Sequence, residues 1–166
     1  LEELQLTPAP EAAAQALIRR VTLDLTGLPP SPELLKHYAG KAILGKLSDS
    51  VYNELVDELL KTPAYGEHRA RYWLDAARYA DTHGIHIDNY RAIWPYRDWV
   101  IQAFKNNMPW DQFTTEQIAG DLLPGATEQQ IVATGFSRNH AITHEGGTIP
   151  EENLVNYAAD RVKTAS

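Results

Sequence analysis

Residues 10–33 read PEAAAQALIRRVTLDLTGLPPSPE, and this stretch decides the fold class. Its first part has a helical repeat, because apolar residues recur every fourth position at Ala13, Leu17 and Val21. We predict a helix over residues 10–24 that Gly27 and the following prolines end. Ser31 then caps a new helix. Two helices joined by a short turn are typical of an all-α protein.

The rest of the chain continues as short helices separated by breaks. Further helices are predicted to begin at or near Ser48 or Asp49, Tyr65, Tyr96, Asp111, Thr127 and Pro150. No alternating apolar pattern of useful length is present, so no sheet is expected. We therefore predict an all-α, irregular multi-helix single domain over residues 1–166, with two long functional loops.

Composition excludes several classes of protein. The 166 residues carry a net charge of −7, which argues against binding to nucleic acid or to an anionic membrane surface. No apolar run approaches the ~20 residues that a membrane span needs. The chain has no cysteine, so it contains no thiol nucleophile, no thiolate metal site and no covalently attached haem c.

Two stretches break the helical pattern and hold four of the six histidines. We call residues 81–91 the first loop and residues 138–145 the second loop. Each contains two histidines with acidic or arginine neighbours and few apolar residues. Because helical scaffolds place functional groups on such loops, these two are the candidate site. We expect them to lie against each other, since mutual contacts would offset the entropy lost in ordering them.

His83, His86 and Asp88 of the first loop have side chains that bind zinc, iron or copper, and a divalent metal is one candidate cofactor. His144 of the second loop completes this candidate metal set. The His-x-x-His-x-Asp spacing is weakly specific. The alternative is a loop whose polar side chains cap helix ends and bind backbone groups.

His140, Glu145 and His83 are the candidate catalytic residues. A neutral histidine is a general base near pH 7, a metal ligand or an axial ligand of haem, and Glu145 could orient or deprotonate it. The alternative is that the second loop is a turn, which Gly146 and Gly147 complete before the last helix.

Five further residues are candidate ligand contacts. Arginine forks bind carboxylates and phosphates, and tryptophan faces stack on sugars. The set comprises Asp81, Arg91, Trp94, Arg97 and Arg138. For any one arginine, pairing with a carboxylate of the same chain is the alternative. We expect Arg97 or Arg138 to pair with an acid of the opposite loop. Trp73 and Trp99 are predicted to be core residues, and Trp94 to be partly exposed.

Several longer strings are distinctive. They are RRVTLDLTGLPP at 19–30, YGE at 65–67, WLDAARYAD at 73–81, YRDWVI at 96–101, EQIAGDLLP at 116–124, ATGFSRNH at 133–140, EGGTIPEE at 145–152 and DRV at 160–162. With these strings the chain resembles the planctomycete cytochrome-c-associated domain of unknown function, the second of the domains labelled PSCyt. The resemblance runs from about Arg19 to Ser166.

The resemblance implies a large, exported or periplasmic parent protein that often carries a cytochrome-c-like module. We expect this sequence to be a fragment that ends before the family's usual Cys-x-x-Cys-His segment, with other domains of the same polypeptide as partners. Haem c would then belong to the parent protein and not covalently to this chain. Genes of this family often occur together with glycan-degrading genes. That association alone suggests a polysaccharide substrate.

Three functions follow as hypotheses. The first is a helical module of an exported, c-type-cytochrome-linked protein that is redox-related and acts on polysaccharide, with a haem-linked oxidoreductase as the enzyme class. The second is a non-catalytic module that binds a glycan or a partner. The third is a metal-dependent hydrolase or lyase.

Overall fold

The computed structural model describes residues 9–165, and within them α-helices carry the fold. The helices are α1 (Ala14–Thr26), α2 (Pro32–Gly40), α3 (Asp49–Leu60), α4 (Pro63–Ala76), α5 (Trp94–Lys105), α6 (Trp110–Ala119), α7 (Glu128–Ala133) and α8 (Pro150–Ala165). Short 3₁₀ segments span Gly120–Leu122 and Thr134–Arg138. Over these residues the β pairing is limited to isolated bridges at Ile43–Lys46 and Thr82–Tyr90. The predicted all-α class is confirmed.

Helix α1 begins later and ends later than the sequence pattern predicted. At its end the Gly27 N–H donates to the Leu23 carbonyl, and Gly27 has the left-handed φ of 71° that ends many helices. Thr22 and Thr26 are buried in the last turns of the helix, and each hydroxyl donates to the carbonyl four residues earlier, at 2.7 Å, which satisfies it without water.

The chain divides into two compact units, residues 1–65 and residues 66–166. In the first unit, helices α1, α2 and α3 pack around Ile18, Tyr38 and Leu55, which are almost fully buried. The apolar faces of these short helices account for that core. That residues 1–166 form one domain stays a prediction.

The core of the second unit is aromatic. Trp99 is buried and stacks on Phe113 with ring centroids 5.3 Å apart, so its predicted core position is confirmed. Trp94 is 49% exposed, as predicted. Trp73 is only partly buried, which corrects the expectation for that residue. Its indole N–H donates to Gln117 Oε1 at 2.8 Å, so the ring lies where core and surface meet.

The helix predicted to begin near Tyr65 is α4, which begins at Pro63 and ends at Ala76. Arg78 has a φ of +58°, and the Tyr79 N–H donates to the Leu74 carbonyl at 2.9 Å. A left-handed residue after the helix, together with this hydrogen bond from the next residue back to the last turn, forms a Schellman motif. This end of α4 lets Arg78 form an ion pair with Asp160 of α8 at 2.6 Å.

Candidate functional site

The two loops lie against each other in the second unit, as predicted. The Ile142 N–H donates to the His83 carbonyl at 3.0 Å, and Arg91 Nη1 donates to the His140 carbonyl at 2.9 Å. The rings of His83 and His144 meet edge to face with centroids 4.3 Å apart. These contacts join the loops by backbone, side-chain and ring interactions.

The first loop folds back on itself. The His83 N–H donates to the Asn89 carbonyl at 2.9 Å, and Asp88 Oδ1 accepts the Gly84 N–H at 2.7 Å. Hydrogen bonds from Thr82 and then from Gly84 lower the pKa of Asp88. His86 and Asp88 have left-handed φ values of 61° and 50°. Three described non-glycine residues outside the loop have the same conformation, so it is a feature of the turn and not by itself a sign of function.

Asp81 holds the base of the first loop in place. Its Oδ1 accepts the Ile93 N–H at 3.0 Å and its Oδ2 accepts the Tyr79 hydroxyl at 2.6 Å. Its carbonyl accepts the Arg91 N–H at 2.8 Å. Burial, and then the hydrogen bond to Asp81, raise the pKa of Tyr79. Both carboxylate oxygens are therefore committed, and Asp81 acts as a positioning residue.

Helix α8 forms a third side of the site, which the sequence analysis did not assign to it. Tyr157 Oη accepts the Thr143 N–H at 2.9 Å, and Asp160 Oδ2 accepts the Ala141 N–H at 3.3 Å. Residues 157, 160 and 161 are three and four positions apart, so they share one helix face. That spacing is the signal that could have found them.

His140 is buried and both of its ring nitrogens are engaged. Arg161 Nη2 lies 3.0 Å from His140 Nε2, and the Ala141 carbonyl lies 3.0 Å from His140 Nδ1. A guanidinium can only donate, so Nε2 accepts and Nδ1 carries the proton. Burial is the main cause that lowers the pKa of His140, and Arg161 adds to it. A neutral ring held this way cannot take a substrate proton without displacing Arg161.

The other candidate histidine pair is more accessible. Burial, followed by the charges of His144 and Arg91, lowers the pKa of His83. His144 is exposed and touches His83 through its ring. This pair faces the junction of the two loops.

Buried side-chain polar atoms without a hydrogen-bond partner are concentrated at this site. Across residues 9–165 they are His83 Nδ1, Arg91 Nε, Asn139 Nδ2 and Asn139 Oδ1. A buried polar atom without a partner costs about 1–3 kcal/mol, so native proteins retain few of them. Sequence analysis did not name Asn139 as a site residue, although it lies in the distinctive string at 133–140.

Other predicted site residues lie outside this cluster of contacts. Arg97 binds its neighbour Asp98 through Nε and Nη2, at 3.0 and 2.8 Å, and Arg138 has no ion pair within the described chain. The expected pairing of either arginine with the opposite loop is therefore wrong. Glu145 is exposed, and the hydrogen bonds found for it are those of its backbone, to Thr143 and Thr148.

The predicted metal ligands do not form one set. Over residues 9–165, no group of three or more His, Asp or Glu side chains is arranged to hold a metal ion. The Asp88 carboxylate accepts a hydrogen bond from the backbone of its own loop, and His86 is exposed. Of the four candidates, only His83 and His144 have rings in contact.

Acidification is expected to destabilise the second unit. Folding lowers the pKa of both His83 and His140 below the ordinary 6.5, so the unfolded chain takes up protons first. The free energy of unfolding is highest above pH 6.5, where both histidines are neutral in the unfolded chain. It falls as the pH drops through 6.5 toward the lower pKa values that the two histidines have in the folded protein. Denaturant unfolding between pH 7.5 and 5.5 measures this effect. This pH range lies above the range in which ordinary carboxylates titrate.

Two variants sharpen the pH experiment. His140→Gln should reduce the pH dependence, whereas His86→Gln, at an exposed position, should leave it unchanged. Stability that rises on acidification, or a slope that His140→Gln leaves intact, would contradict the neutral state assigned to His140.

The fold and the site define an all-α module that presents a polar cluster built from two loops and one helix. The chain belongs to the family described as "Protein of unknown function (DUF1549)", labelled PSCyt2, whose profile matches residues 1–166. Comparison with curated proteins and with solved structures gave no match. None of the helices in the described part of the chain combines the length and the apolarity that a membrane crossing requires.

Proposed function

We propose that this chain is the ligand-binding helical module of an exported, c-type-cytochrome-linked protein. In this proposal the site between the two loops binds an anionic oxygen group on an acidic sugar of a polysaccharide. The module positions the substrate, and any redox step takes place on another domain of the parent protein.

Arg91 is the observation that carries the proposal. Only 7% of the residue is exposed, and no carboxylate lies within ion-pair distance of it in the part of the chain described. Nη1 donates to the His140 carbonyl, whereas Nε has no partner. The charge of Asp81 favours the guanidinium from beyond ion-pair distance, but no carboxylate of the described residues bonds to it. A guanidinium fork matches a carboxylate or a sulfate ester.

The surroundings of Arg91 favour an anion further. Burial and then the charge of Arg138 lower the pKa of Arg91, whereas the charge of Asp81 raises it, so two guanidinium groups and one carboxylate act in this region. Among the described residues, Asn139 Nδ2 and His83 Nδ1 are polar atoms without partners. The Asn139 amide N–H suits a charged oxygen of an acidic sugar, and His83 Nδ1 donates or accepts according to its tautomer.

The haem of the proposed parent protein would be attached elsewhere, because this chain has no cysteine. His140 does not fit as an axial ligand, since Arg161 and the Ala141 carbonyl engage both of its nitrogens. The alternative of a metal-dependent hydrolase or lyase lacks a set of three ligands within residues 9–165. Binding of an acidic group is therefore the function that the geometry supports best.

The chain is expected to bind a trimer of a uronic acid and to bind a neutral trimer of the same backbone at least tenfold more weakly. Arg91→Gln should weaken uronate binding by about tenfold to a hundredfold, the range for loss of a charge-assisted hydrogen bond. Titration calorimetry measures both effects, and a trimer bearing sulfate esters distinguishes the two kinds of anion.

A second variant separates binding from folding. Asn139→Leu removes an amide that bonds to nothing in the protein, so stability should be kept or raised while uronate binding weakens. Arg97→Gln, at an exposed pair with Asp98, is the matched control and should change neither property. The proposal would be contradicted by equal affinity for the neutral trimer, by absence of uronate binding, or by unchanged uronate affinity in Arg91→Gln.

A further inference from the structure

Two adjoining cavities lie along helices α6 and α8 of the second unit. Their volumes are about 300 and 200 Å³. They share four lining residues, which are Ile118, Phe136, Thr164 and Ala165. We call the pair the α6–α8 groove, and its size suits a small organic ligand.

One end of the groove is aromatic. Trp73, Trp110 and Phe136 line it, and the Trp73 ring lies 5.3 Å from that of Trp110 and 6.1 Å from that of Phe136. Two of the polar side chains here have partners: Trp73 Nε1 donates to Gln117 Oε1, and Gln117 Nε2 donates to the Phe113 carbonyl. This end therefore offers aromatic faces and edges to an apolar or aromatic group.

The other end of the groove is cationic. Arg161 and His140 line it together with Ser137. Arg161 bonds to the neutral His140 ring and has no carboxylate within ion-pair distance among the residues the structure describes. Its positive charge is thus uncompensated at the point where the apolar walls end.

The rim exposes large apolar side chains. Trp110, Ile118 and Val162 are 61%, 66% and 67% exposed. A contiguous apolar surface bordered by charge marks a binding site more often than a solvated face. The groove thus joins an apolar aromatic surface to one cation.

We propose that the α6–α8 groove binds an aromatic carboxylate. Its ring packs among Trp110, Ile118 and Phe136, and its carboxylate meets the guanidinium of Arg161. This site is distinct from the sugar site, because its cation is Arg161 and its walls are apolar, whereas the sugar site uses Arg91 between the two loops. The inference does not rest on the proposed function.

The probe is 2-naphthoate, with the neutral 2-naphthalenemethanol as its analogue. Naphthoate is expected to quench tryptophan fluorescence in a saturable way and to bind at least tenfold more tightly than the alcohol. Arg161→Gln should weaken naphthoate binding tenfold or more and change binding of the alcohol much less, because the alcohol has no charge for the guanidinium to pair with.

A second variant tests the apolar wall. Ile118→Glu places a negative charge in the groove at an exposed position, so the fold should survive and naphthoate binding should be lost. Arg97→Gln is the control and should bind as the parent chain does. Equal affinity for acid and alcohol, unchanged affinity in Arg161→Gln, or no saturable binding to the parent chain would overturn the proposal. Ile118→Glu changes this groove and not the two loops, so the groove can fail while uronate binding persists.

Discussion

Trp99→Ala is expected to lower the free energy of unfolding of the second unit by about 3–5 kcal/mol, which is typical when a buried aromatic side chain is removed. Trp99 is 4% exposed and stacks between Phe113 and Tyr96, with interplanar angles of 16° and 14°. Its removal leaves a cavity that helix α5 cannot close, because Tyr96 is held by its hydroxyl bond to Gln117. Denaturant unfolding followed by circular dichroism measures the loss.

Trp94→Ala is the matched control for this experiment. Trp94 begins the same helix but is 49% exposed, so its removal should cost less than about 1 kcal/mol. Equal losses at the two positions, or a loss below ~1 kcal/mol at Trp99, would show that the aromatic core of the second unit is misplaced.

Asp81→Ala is expected to cost about 2–3 kcal/mol and to release the first loop. The substitution removes two charge-assisted hydrogen bonds and leaves the Ile93 N–H and the Tyr79 hydroxyl without their acceptor. Ile93 is 3% exposed, so water does not readily replace the carboxylate there. Amide hydrogen exchange across residues 82–91 should accelerate along with the loss in stability.

Asp98→Ala is the control for Asp81→Ala. Asp98 pairs with Arg97 at the surface, where both side chains are more than a third exposed, so its loss should change stability by no more than about 0.5 kcal/mol. If Asp81→Ala left exchange in the first loop unchanged, Asp81 would not be the residue that positions that loop.

Local signals in the sequence predicted much of the fold. Ser31 and Ser48 cap their helices through side-chain oxygens, and Thr127 forms a full capping box with Gln130. Each of these caps involves residues within three positions of one another, so the local sequence is enough to predict where the helix begins. The end of α4 could not be predicted in the same way, because Arg78 has a left-handed backbone that glycine or asparagine usually adopts.

The sequence predicted the two loops of the candidate site but not the residues that contact them. The contact between the loops follows from their polarity and their shared histidines, as the bond from Ile142 to His83 confirms. The contribution of Tyr157 depends on the packing of α8 against the second loop, which no local pattern encodes. The expectation that Arg97 or Arg138 pairs with an acid of the opposite loop was wrong, because Arg97 pairs with Asp98, its neighbour in the sequence.

The most direct test of the central claim is the ¹⁵N–¹H signal of Arg91 Nε during titration with the uronic acid trimer. This N–H has no partner among residues 9–165, so a carboxylate bound between the loops should shift its resonance in a saturable way. The neutral trimer should leave the signal in place. Uronate binding that saturates while the Arg91 Nε signal stays unchanged would contradict the assignment of the two-loop site as an anion-binding site.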